Sequence, residues 1–149
     1  MELPAHAKLL SKHSRVLSKM ITACNELRIH MFGDKLSELK AMLTVLYRPS
    51  YFATEFTSGQ LLAALGVMHK YDMQQAKSDV ESQLVARVER AVRRGNHARR
   101  DHTDQDIIRC VAASEKFELR QLRAYSEAYI AMNFEKIGNS QLLLSRDVP

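Results

Sequence analysis

The chain has no tryptophan, three prolines, five scattered glycines and two cysteines. Each scarcity closes off a class of protein. Cys24 and Cys110 stand far apart and outside any paired spacing, so there is no disulfide framework and a reducing compartment is expected. The glycines are isolated at Gly33, Gly59, Gly66, Gly95 and Gly138, which excludes a glycine-rich phosphate loop. So few prolines and glycines also argue against a loop-rich or disordered chain. No apolar run approaches the length that crosses a bilayer, and the opening Met1-Glu2-Leu3-Pro4-Ala5-His6 lacks the apolar centre of a signal peptide. A cytoplasmic or nuclear protein without membrane contact is expected.

What is present is ordinary for a globular domain. Of 149 residues, 46% are hydrophobic and 26% charged, enough for one compact core and too few for a second full domain. Seven methionines suit an adaptable, mainly aliphatic interior. The net charge of +5 is unevenly placed. Arg87, Arg90, Arg93, Arg94, Arg99 and Arg100 crowd one stretch, countered there only by Glu89 and Asp101. Such a stretch is either a contact for nucleic acid or an acidic partner, or a solvated helix end running into a linker.

Periodicity predicts helix almost throughout. Ala7 to Ile21 places Leu9, Leu10, Val16, Leu17, Met20 and Ile21 on one face, with Lys8, Lys12, Arg15 and Lys19 over much of the rest. Glu26 to Met31 alternates polar and apolar residues and is the best strand candidate. Gly33-Asp34 ends it, and Asp34 or Ser37 can cap a helix from about Leu36 to Tyr47, which Pro49 stops. An aromatic loop with Tyr51, Phe52 and Phe56 follows, some of its rings expected to tuck against the helices. Ser58 then opens a helix carrying Leu61, Leu62, Leu65 and Met68. Asp72-Met73-Gln74-Gln75 has the pattern of a capping box ahead of a helix ended by Arg94-Gly95-Asn96. Beyond a linker, helices are expected from Thr103, through Leu122 to Ile130, and in a tail from Phe134 to Leu144 that docks its leucines.

Within this pattern lies a repeat. Lys70-Tyr71-Asp72-Met73-Gln74-Gln75-Ala76-Lys77 aligns with Lys116-Phe117-Glu118-Leu119-Arg120-Gln121-Leu122-Arg123, an offset of 46 (116 minus 70). Upstream, Leu61, Leu62 and Leu65 meet Ile107, Ile108 and Val111; downstream, Glu81 meets Glu127. The physical content is two helical hairpins in which an aromatic residue ends the first helix and an acidic residue turns the chain.

Several of these segments together resemble a known family. Leu3-Pro4-Ala5-His6, the helix through Ser14-Arg15-Val16-Leu17-Ser18-Lys19-Met20, the helix ending Val45-Leu46-Tyr47, and Leu61-Leu62-Ala63-Ala64 leading to Lys70-Tyr71-Asp72-Met73 look like a BTB (POZ) domain over about Leu3 to Val88. Thr103 to Leu144 is similar to the BACK-like helices that often follow one. The resemblance implies a mainly α fold (α+β at most): a BTB-like helical cluster with one or few short strands, extended by a second helical hairpin. The expected division is a BTB-like domain at 1–88, a basic helix end and linker at 89–102, and a BACK-like extension at 103–149. The family's usual first helix and two strands are expected to be missing ahead of the Pro-Ala-His opening. The strand at 26–31 would then lack its sheet neighbours.

The function so implied is a protein–protein interaction module, with a cullin of a ubiquitin ligase and a second copy of the chain as the family's partners. Cullin binding in the family uses a hydrophobic-x-Glu motif; the nearest match is Cys24-Asn25-Glu26, and Met20, Cys24, Glu26 and Tyr47 are the residues expected at such a contact. The competing readings are a nucleic-acid-binding helical module using the arginine stretch 87–100, ranked below the first because no nucleic-acid motif surrounds it, and a non-functional fragment of a larger BTB protein. No catalytic, cofactor or metal set is expected: Cys24, His30, His97, His102 and Cys110 fall in no metal-ligand spacing, and nothing pairs a nucleophile with a base. His6 reads as a structural residue at the opening of the first helix. Tyr125 and Tyr129, one turn apart, read equally as a partner-facing surface or as core.

Overall fold

The computed structural model describes residues 3–24, 28–48, 56–94 and 104–138. The chain divides into two compact units, Met1–Val80 and Glu81–Pro149, where the sequence suggested one core. The expected boundary at residue 88 lies inside a helix that runs unbroken to Arg94, and residues 95–102 of the expected linker lie outside the described residues.

The first unit is helical. It holds α1 (Ala7–His13), α2 (Arg15–Ala23), α3 (Leu36–Tyr47), α4 (Ser58–Lys70) and the start of α5 (Gln74–Arg94). Expected as one helix, Ala7 to Ile21 is two. Ser14 sits between them in an extended conformation, φ −144° and ψ 119°. Its hydroxyl accepts a bond from the Leu17 N–H at 2.9 Å, capping α2, and donates to the Tyr71 carbonyl. The periodicity survives the break, because Leu10 and Leu17 both turn inward, at 6% and 0% exposure. Both face a core of Met42, Val45, Leu61, Leu65, Met68 and Met73, and α3 packs on α4.

Helix α3 ends where expected. Arg48, ahead of Pro49, leaves the helical region at φ −137°, as a residue before proline must. The capping expectations fared differently. Neither Asp34 nor Ser37 caps α3, whose N-cap is Lys35 with no side-chain bond; the Asp34 carboxylate is held elsewhere. The capping box lies at Thr57–Gln60 instead: Thr57 Oγ1 accepts from the Gln60 N–H at 3.3 Å, and Gln60 Oε1 accepts from the Thr57 N–H at 2.9 Å. At the expected box, Asp72 Oδ1 accepts from the Gln74 side-chain amide at 2.6 Å.

No strand forms among the described residues. Arg28 to Met31 carry the expected alternation without a ladder, while residues 25–27 lie outside the described residues. Alternation alone does not make a strand, because a strand's backbone groups need a partner strand to pair with.

The second unit contains the rest of α5, then α6 (Asp104–Lys116), α7 (Arg120–Met132) and the single turn α8 (Phe134–Gly138). Leu84, Val88, Ile107, Cys110, Leu119, Leu122 and Ile137 are buried, and α6 packs on α7. Ile137 carries the buried contact of the tail as far as it is described.

The sequence repeat is a repeat of structure. Both α4 and α6 end in the same cap, with the first residue past it in the left-handed region: Asp72 at φ 51° and Glu118 at φ 58°. In each, the N–H two beyond the aromatic residue bonds back across the turn, Met73 to the Met68 carbonyl at 2.9 Å and Leu119 to the Ser114 carbonyl at 2.8 Å. The N–H of the left-handed residue bonds one residue further on, Asp72 to His69 at 3.2 Å and Glu118 to Glu115 at 3.4 Å. This is the Schellman arrangement, made twice at an offset of 46 (118 minus 72) without the usual glycine. A lysine ammonium lies over each aromatic ring, Lys70 at 5.1 Å from Tyr71 and Lys116 at 5.6 Å from Phe117.

Candidate interaction surfaces

Around the first of these turns lies a polar network. Tyr71 Oη donates to Asp34 Oδ2 at 2.7 Å, and Lys70 Nζ donates to the same oxygen at 2.8 Å and to the Phe32 carbonyl at 2.6 Å. The Asp34 side chain is 7% exposed, so a carboxylate there requires these donors. The bond to Asp34 raises the Lys70 pKa. Burial, with Asp34 adding to it, raises that of Tyr71. The network fixes the turn at Gly33, φ 76°, from which Phe32 projects at 80% exposure with its ring stacked on His30 at 5.9 Å. Sequence reading assigned Asp34 to a cap; the Lys-Tyr pair of the repeat was the available signal for its real partners.

A second feature joins the start of the chain to the end of α3. Tyr47 Oη accepts from the His6 backbone N–H at 2.6 Å and shares a hydrogen bond with His6 Nδ1 at 2.7 Å. The His6 carbonyl also accepts from the N–H groups of Leu9 and Leu10, opening α1. The histidine is therefore structural. Beside this pair runs a shallow groove lined by Pro4, Ala5, His6, Leu43, Thr44, Tyr47, Arg48 and Phe56. Phe56 is the one ring of the aromatic loop that is described, and it is half-buried there. An open, largely apolar groove suits a peptide side chain better than a small molecule, which is normally enclosed.

Of the residues expected at a cullin contact, Met20 and Cys24 lie one turn apart at the end of α2, both half-buried. Cys24 Sγ donates to the Arg28 carbonyl at 3.0 Å. Tyr47 is 40% exposed, but its hydroxyl is engaged by His6 on a different element. Glu26 lies outside the described residues. The structure therefore brings Met20 and Cys24 together and ties Tyr47 to the α1 opening.

Among its described residues, the arginine stretch does not face one way. Arg87 is 8% exposed, which withdraws it from a phosphate-contacting set. It faces inward because it shares the α5 stripe with Leu84 and Val88, both at 0%. Its charge acts on Cys110, where it opposes a burial that pushes the thiol up to about 12. Arg90 and Arg93 are exposed, and Arg90 Nε donates to its own helix at Ala86, 3.2 Å away. Arg94 closes α5, while Arg99 and Arg100, with His97 and His102, lie outside the described residues.

Both tyrosines of α7 are tied to carboxylates. A hydrogen bond to Glu89 raises the Tyr125 pKa. Tyr129 Oη donates to Asp104 Oδ1 at 3.2 Å, and burial raises its pKa. Tyr125 is 40% exposed and Tyr129 half-buried, so the pair divides between surface and core. Among the described residues, no group of three or more His, Cys, Asp or Glu side chains is placed to hold a metal ion.

Comparison with protein families gives a match to the BTB/POZ domain over residues 1–87. That span is more than half of the chain, and the chain belongs to the BTB/POZ domain family. BTB/POZ domains are protein–protein interaction modules, and this one is built almost wholly of helices in its described part. Neither the curated proteins nor the solved structures provide a match.

Proposed function

We propose that this chain is a non-catalytic adaptor of BTB/POZ type that joins a cullin scaffold to another protein, working in the cytoplasm or nucleus. The observation that carries the reading is the family match over residues 1–87. The open groove beside His6 and Tyr47 and the exposed Phe32 ring support it, since both suit contact with a protein surface. On this reading the cullin docks at the end of α2, through Met20, Cys24 and the following Glu26, and Tyr47 stands at the groove. Residues 103–149 form the BACK-like extension that follows the domain, and a second copy of the chain is a further partner.

Light scattering after size-exclusion chromatography tests this, on the chain alone and mixed with the N-terminal domain of a BTB-binding cullin. The expected result is a mixture mass equal to a complex, reduced by Glu26→Lys. A clean monomer that ignores the cullin domain overturns the adaptor reading.

A further inference from the structure

From Leu3 through Asn25 the chain carries Lys8, Lys12, Arg15 and Lys19 and not one carboxylate. All four cations are exposed. Among the described residues none of their side chains has an ion-pair or hydrogen-bond partner, in contrast to Lys35, Lys70, Arg109 and Arg123, which each meet a carboxylate. They stand as two pairs at one-turn spacing, Lys8 with Lys12 on α1 and Arg15 with Lys19 on α2, so each pair presents neighbouring charges. The backbone beneath them is fixed: Ser14 caps α2 and bonds to the Tyr71 carbonyl, and Leu10 and Leu17 anchor the inner faces. The helix backbone that carries the charges is thus anchored before any partner arrives, while the long side chains stay free to adjust to it.

We propose that the two basic pairs on α1 and α2 together form a docking face for an acidic segment of a partner protein. The proposal deepens the interaction reading above and rests on it for expecting a protein. A second copy of this chain is not the occupant, because a twofold contact through this face would set the same four cations against themselves. A membrane is disfavoured: Leu10 and Leu17 are buried, Leu9, Met20 and Ile21 are half-buried, and the most exposed large apolar side chain of the two helices, Val16, surfaces only to 36%. Nucleic acid is disfavoured because neither helix offers a Phe, Tyr or Trp to stack on bases, and only one of the four cations is an arginine able to grip a phosphate with two bonds. A flexible acidic segment asks only for exposed, unpaired positive charge at regular spacing.

Fluorescence anisotropy of a labelled poly-L-glutamate peptide with the whole chain tests this. Its comparison probes are an oligothymidylate of equal length and phosphatidylserine-containing vesicles. The variant Lys8→Gln/Lys12→Gln/Arg15→Gln/Lys19→Gln is read against Lys35→Gln/Lys40→Gln/Arg90→Gln/Arg120→Gln, which removes the same charge from other exposed positions. Poly-glutamate binding is expected to weaken about tenfold or more in the first variant, to change less than about twofold in the second, and to fade as salt is raised. Equal loss in both variants, or tighter binding of the oligonucleotide or vesicles than of poly-glutamate, overturns the proposal. Should the quadruple variant fail to fold by circular dichroism, the doubles Lys8→Gln/Lys12→Gln and Arg15→Gln/Lys19→Gln are each expected to give a partial loss. Cullin-domain binding measured on the same proteins separates the two readings, since it can fail while poly-glutamate binding holds.

Discussion

Glu81 caps a helix forty residues away: its Oε1 accepts the backbone N–H of Leu122 at 3.1 Å and that of Gln121 at 3.0 Å. Helix α7 needs this, because its own N-cap, Leu119, has no side chain able to accept a bond. The first N–H groups of a helix lack intrahelical partners, and a carboxylate there satisfies them while meeting the positive end of the helix dipole. Glu81 thus ties α5 to the first turn of α7 within the second unit.

Replacing Glu81 with alanine is expected to cost about 1–2 kcal/mol in urea denaturation. Glu81→Gln, which keeps an acceptor but loses the charge, is expected to cost less. Amide exchange should localise the effect, with Gln121 and Leu122 exchanging faster in the alanine variant. Unchanged exchange at both would show that the cap does not hold in solution.

The two Schellman turns place a β-carbon where glycine normally sits. At Glu118, φ 58°, the left-handed backbone has, among the described residues, no compensating side-chain bond of the kind Asp72 makes to Gln74. Glu118→Gly is expected to raise stability by roughly 0.5–1 kcal/mol, the relief of steric strain less the entropy glycine adds to the unfolded chain. Asp72→Gly should gain less, because aspartate tolerates this conformation and its bond to Gln74 would be lost. Paired thermal melts of the two variants measure the difference, and an equal gain at both sites would deny the Asp72 contact any weight.

The helices were legible because apolar spacing is a local signal, and α3 begins and ends where its leucines and Pro49 placed it. The two turns were legible as well, since a duplicated aromatic–acidic pair carries its own comparison. What escaped were polar contacts between distant positions. Ser14 breaks the first helix by bonding to Tyr71, fifty-seven positions on, and Asp34 leaves its helix end for Lys70 and Tyr71. Nothing local to Ser14 distinguishes it from a serine on a continuous helix. Likewise Arg87 reads as one of six similar arginines until the burial of Leu84 and Val88 shows which way that stripe faces.

The Tyr71–Asp34 bond predicts sensitivity to alkali. The folded Tyr71 pKa is raised, first by burial and then by Asp34. A group whose pKa is higher folded than unfolded contributes stability that is complete below the unfolded value, about 10 for tyrosine, and is lost as pH rises through the folded one. Melting temperature should therefore fall as pH is raised above about 10. In Tyr71→Phe the fall should be shallower, from a starting stability lower by about 1–2 kcal/mol, because the buried carboxylate loses the Tyr71 hydroxyl and is left with Lys70 among its described donors. Parallel alkaline profiles for the two proteins would mean that other groups set the slope.

The two thiols should behave oppositely towards a thiol reagent. Cys110 is fully buried, with burial and the neighbouring Asp106 pushing its pKa up to about 12 against the pull of Arg87. Only the thiolate reacts, so Cys110 combines a blocked approach with a negligible thiolate fraction near neutral pH. Cys24 is half-buried at the end of α2, with its S–H turned towards the Arg28 carbonyl. Ellman's reagent at about pH 8, just below the ordinary thiol pKa, should therefore label one cysteine quickly in the native protein and both in denaturant. Cys24→Ser should abolish the fast phase, and Cys110→Ala should leave it intact while lowering the unfolding midpoint. Rapid labelling of Cys110 in the native protein would contradict the close packing of α6 around it.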